Sequence, residues 1–169
     1  MTGLHRMRML TMLLLGFLTV APLSAMGQVV GDEAELKRLQ TKADDAIGND
    51  DADGAAMMMG RAALLAAQLA KKQTGWSIGL HKNQEALFRS QEHTYRATAL
   101  FRRAGGQLPA SSGVCGSLAL ALTSLGHVAS LDAPSPSDAR LMEEAQRLRV
   151  ATDNWHEVTI ALIAEYQCP

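Results

Sequence analysis

From residue 36 onward the apolar residues of this chain recur every three or four positions, and nowhere do they alternate with polar residues over the length of a strand. That spacing gathers side chains onto one face of an α-helix, whereas a half-buried strand needs a period of two. Ala and Leu are abundant, and aromatic residues make up only 4% of the chain. Local preference therefore points the same way as the spacing, to an all-α fold.

The breaks in the pattern predict six helices paired as three hairpins. The first starts at Asp32, with Glu35 completing a capping-box pattern, and carries Leu36, Leu39, Ala43 and Ala46 or Ile47 on one face. The second runs from about Gly54 to Lys72 with Met58, Ala62, Leu65 and Leu69 inward, and the third from about Leu80 to Arg103 with Leu87, Phe88, Tyr95, Phe101 and Ala104 inward. "GGQLPASSG" stops the third helix, since Gly terminates helices and Pro109 has no amide hydrogen. The fourth, Val114 to Leu131, is apolar nearly all round, which predicts a central, enclosed position. A fifth opens at Ser135, Pro136 and Asp138 and bears Leu141, Ala145 and Leu148; a sixth, from Asp153, bears Trp155, Val158, Leu162 and Tyr166.

Arg6 and Arg8, the apolar run Met9 to Val20 and the small residues of "APLSAMG" stand in the order of a cleavable signal peptide, with cleavage after Ala25 or after Gly27. The apolar run is shorter than the ~20 residues a membrane span needs. The expected product is a single domain, residues 26–169, that is periplasmic or secreted and has no stable membrane span. Removal of 25 residues leaves 144 and takes away two arginines, so 14 basic side chains face 17 acidic ones, a net charge of −3. Such a balance gives no reason to expect nucleic acid as a partner. Cys115 and Cys168 are the two cysteines, and in an oxidising compartment their one possible pairing is a disulfide fastening the C-terminal "YQCP" to a later helix.

Ala55, Met59 and Ala62 are spaced four and three apart, and Ala97, Phe101 and Ala104 repeat that spacing with Pro109 five residues on. The sequence of small, large apolar, small and Pro resembles the second half of a tetratricopeptide repeat; Ala43 and Phe88 fall where that family has a small residue and an aromatic. The two units lie 42 residues apart, against about 34 in the family. Glu85 occupies a small-residue place, and the first unit lacks its terminal Pro. The resemblance covers residues 36–109 and implies a short array of helical hairpins that binds a protein or peptide; the other architecture open to the pattern is an irregular helical bundle.

Chemistry-bearing motifs are few. Asn49, Asp51, Asp53 and Gly54 match the opening of a calcium loop, but position nine is Met57 and position twelve, where a bidentate Glu closes the shell, is Gly60. The expected role of the stretch is a polar interhelical turn. Met57, Met58 and Met59 point about 100° apart on a helix and cannot converge on one ion. Lys82, Arg89, Arg96 and Arg103 recur every seven residues as a basic stripe, the best candidate for a partner-binding face, although Glu85 and Glu92 stand four residues before Arg89 and Arg96. His81 and Glu85 lie one turn apart with no second ligand at metal-site spacing, and His127, in the most apolar helix, reads as a buried histidine. There is no G-x-S-x-G, H-E-x-x-H or C-x-x-C. The expectation is a non-enzymatic interaction protein of the cell envelope without a cofactor, the alternatives being a small ligand- or ion-binding bundle and, third, an envelope hydrolase.

Overall fold

The computed structural model describes residues 23–128 and 139–169, with side chains from residue 31. The expected signal segment through Pro22 and the Ser135 to Asp138 helix start lie outside these residues. Among the described residues there are five helices and no strand: α1 Leu23–Gly48, α2 Ala52–Lys72, α3 Trp76–Arg103, α4 Ser112–Leu125 and α5 Ala139–Glu165.

Three expected boundaries are corrected. The two helices separated at Asp153 are one, because residues 139–165 contain neither Gly nor Pro and Asp153 and Asn154 simply face solvent. α1 begins well before Asp32, so that residue is no cap; its carboxylate takes a 2.8 Å ion pair from Lys72 at the end of α2. Glu35 pairs with Arg38 one turn on. The third correction concerns α4. It is short and not enclosed, burying Val114, Leu118, Ala121 and Leu125 at spacings of four, three and four while Leu120 is half exposed. The helix at the centre is α3.

Consecutive helices pack on one another, and α3 also meets α5, whereas among the described residues α1 and α5 make no contact. The core follows this order. Leu36, Leu39 and Ala43 of α1 meet Ala55, Met59, Ala62 and Leu69 of α2, closed by Phe88 of α3. Small residues on α2 let its neighbours approach closely, and each buried Leu or Phe contributes about 1.5–3 kcal/mol. Leu80 and Leu87 of α3 pack with Leu125 and Leu148 near Trp76 and Trp155. Ala97, Val114, Leu118 and Tyr166 form the third cluster, with Leu162 against it.

The ends of the helices are explained locally. Asp51 caps α2 by accepting the Gly54 N–H at 2.8 Å. α3 stops at Gly105 and Gly106, whose positive φ angles of 72° and 68° suit glycine, and the Gly106 N–H returns to the Phe101 carbonyl at 3.0 Å. Cys115 in the first turn of α4 and Cys168 form a disulfide with Cα atoms 5.4 Å apart. Around it the Ala110 N–H donates to the Tyr166 carbonyl at 2.9 Å, and the rings of Phe101 and Tyr166 stack with centroids 4.0 Å apart. Among the described residues no helix is long and apolar enough to cross a membrane.

Candidate functional site

The gap between α1 and α5 is a cleft floored by α3. Gln84 meets Glu144, Tyr95 meets Trp155 and Thr94 meets Thr159, so α3 and α5 run in the same direction. α3 turns Ser77, His81, Gln84 and Phe88 toward the cleft, and Gln91 and Tyr95 continue the same helical stripe, which is spaced four, three, four, three and four. At its enclosed end is a cavity of about 400 Å³, with Glu33, Lys37 and Gln40 of α1 on one rim and Arg140, Glu144 and Arg147 of α5 on the other.

The floor is polar although it is buried. His81 is only 4% exposed, and its Nδ1 lies 2.7 Å from Gln84 Oε1. An amide oxygen can only accept, so in this pair the ring donates from Nδ1. Gln84 in turn donates from Nε2 to Glu144 Oε1 at 3.3 Å, linking α3 to α5. Two helical turns further on, Gln91 Oε1 is buried without a hydrogen-bond partner among the described residues. A buried oxygen lacking a donor is uncommon and calls for one. Tyr95 ends the stripe in an edge-to-face contact with Trp155, centroids 5.3 Å apart. Burial, with the Asp44 carboxylate adding to it, pushes its phenol up to about 12.

The basic stripe has a different environment at each position. Arg89 and Arg96 both reach Glu92, at 2.9 and 2.6 Å, and this carboxylate is buried against α2. Gly60 leaves room for that burial: a Cβ there would stand 3.1 Å from the Glu92 carboxyl carbon, a tight contact. Arg103 pairs with Asp53 in the first turn of α2, while Lys82 is exposed beside Ser124 and His127 at the α3–α4 edge. The expected Glu92–Arg96 pair is present, and Arg89 turns forward to Glu92.

The candidate cation ligands all have partners within the protein. Asn49 donates its side-chain amide to the Asp45 carbonyl at 2.8 Å, Asp51 caps α2, and Asp53 holds Arg103. Among the described residues no three His, Cys, Asp or Glu side chains are grouped to hold a metal ion. Met57 is exposed, Met58 half-buried and Met59 buried, as three successive helix positions must be. His81 turns to Gln84 rather than to Glu85, and His127 is exposed at the end of α4, contrary to the buried position its neighbours suggest. The histidine that burial does affect is His93, held below its usual range by desolvation, with Glu92 opposing and Arg96 and Arg89 adding. Its Nδ1 and the Ser90 hydroxyl are buried without partners among the described residues.

Sequence reasoning picked the charged stripe of α3 and passed over the cleft stripe. A signal was present: polar residues at core spacing, Ser77, His81, Gln84 and Gln91, on a helix otherwise apolar at that spacing. No family model matches the chain, and neither a curated protein nor a solved structure does.

Proposed function

We propose that this is a non-enzymatic peptide-binding protein of the cell envelope, exported by its N-terminal segment, that holds an extended polypeptide in the cleft between α1 and α5. The observation that carries the reading is the polar floor of that cleft, where buried His81 and part-buried Gln84 are linked to Glu144 of α5. Side-chain amides both donate and accept, as a peptide backbone does. From His81 to Gln91 the helix rises about 15 Å, the length of four or five residues of extended chain. Rims of mixed charge, with Glu33 and Lys37 facing Arg140 and Arg147, suit side chains of either sign.

The packing of each helix on the next in chain order is what a short tetratricopeptide-like array would also have, and supports that reading. The reading needs no cofactor and no catalytic step. A small polar ligand is the second reading, favoured by the enclosed end, whose volume of about 400 Å³ falls among known ligand pockets.

Selection of unstructured peptides from a display library on the oxidised protein, followed by fluorescence anisotropy of the recovered peptides, tests the proposal. Affinity should fall by about tenfold or more in Gln84→Leu and Gln91→Leu. Binders indifferent to both substitutions, or a selection that yields none, would overturn it. Export is tested separately by mass spectrometry of the chain recovered outside the cytoplasm, which should begin at Met26 or Gln28.

A further inference from the structure

We infer that the groove between α2 and α3, on the side of α3 away from the cleft, docks a short acidic amphipathic helix of a partner protein. Arg89 lies five positions, or about 140°, around α3 from Gln84. The groove holds about 400 Å³ and has Gly60 in its floor. Met57, Arg61 and Leu64 follow one another at spacings of four and three along α2, and Met57 and Leu64 are 50% and 55% exposed. Two large apolar side chains two helical turns apart, with a cation between them, form a ridge onto which a third helix can pack.

The charge of the groove chooses the partner. Asp53 is taken by Arg103, and the buried Glu92 is shared by Arg89 and Arg96, so two guanidiniums divide one carboxylate. Among the described residues no carboxylate bridges Arg61. The groove is therefore positive on a chain whose net charge is −1. A carboxylate-bearing helix with apolar residues at three-and-four spacing satisfies both the guanidiniums and the Met57 and Leu64 surface. The net negative charge of the whole chain opposes an anionic bilayer, while a helix presents its acids to the groove alone.

The test uses the oxidised full-length mature chain and a display library of helix-forming peptides of about four turns. Recovered peptides should be enriched in Asp and Glu flanked by apolar residues, and their affinity should fall by about tenfold or more in Arg61→Glu and on raising salt. Arg61 is exposed, so the melting temperature of that variant should be unchanged, and Leu64→Ser should weaken the same peptides. Gln84→Leu should leave them bound, which separates this groove from the cleft. Neutral or basic peptides, affinities indifferent to Arg61, or loss of binding in Gln84→Leu would each overturn the inference. Binding to phosphatidylglycerol vesicles that depends on Arg61 would overturn it in favour of a membrane surface.

Discussion

Replacing both cysteines by serine, Cys115→Ser with Cys168→Ser, opens a loop closed by a sequence separation of 53 residues. On chain-entropy grounds such a loop restricts the unfolded ensemble by about 14 cal/mol/K, or about 4 kcal/mol at 25 °C. The folded state offers the severed tail two other ties, the Ala110–Tyr166 hydrogen bond and the Phe101–Tyr166 stack. These keep the tail docked, so the loss should fall on stability and leave the helical content intact. Urea unfolding followed by circular dichroism should show a lower midpoint, with the melting temperature down by on the order of 10 °C. The unmodified chain under dithiothreitol should lose the same amount. A loss below about 1 kcal/mol, or a variant whose helical signal collapses in the absence of urea, would refute the reasoning, the first by showing that the crosslink restrains little and the second by showing that the tail organises the fold.

Asp51→Ala removes the α2 cap and should cost about 0.5–2 kcal/mol by thermal melt; a melting temperature that rises with calcium chloride in the unmodified chain and stops doing so in this variant would reject the capping role assigned to Asp51. Tyr95 should resist ionisation until about pH 12, read as phenolate absorbance in a Tyr166→Phe background. Its folded pKa lies above the unfolded value near 10, so its contribution is whole below about pH 10 and is lost as pH rises toward 12. Solvent screening of this partly exposed ring holds the stability change below about 2–3 kcal/mol. A tyrosine that titrates normally would remove the Asp44 and Trp155 environment.

The helices were legible because the spacing of three and four is a local property. Leu36, Leu39 and Ala43, or Val114, Leu118 and Ala121, can bury only as a face of a helix, whatever they meet. The disulfide was legible because two cysteines allow one pairing. Local signals misled where two meanings competed. Asp153 has the composition of a helix cap, but with no Gly or Pro nearby the backbone runs on through it. The apolar "LALAL" of α4 suggested a buried helix, yet burial depends on the number of neighbours, and α4 has them on one side.

By itself, then, the sequence determined helix content, the polar turn at Asn49 to Gly54 and the covalent tie at the C-terminus, all of which depend on residues near in the chain or unique in it. The tertiary structure alone decided that α3 is central, that its polar stripe floors a cleft, and why Gly60 stands where a calcium loop would have its Glu. That Gly makes room for Glu92, a residue 32 positions away. Such pairings come from helix packing, in which distant positions are brought within a few ångströms, and no spacing along one helix records which face its neighbour will take.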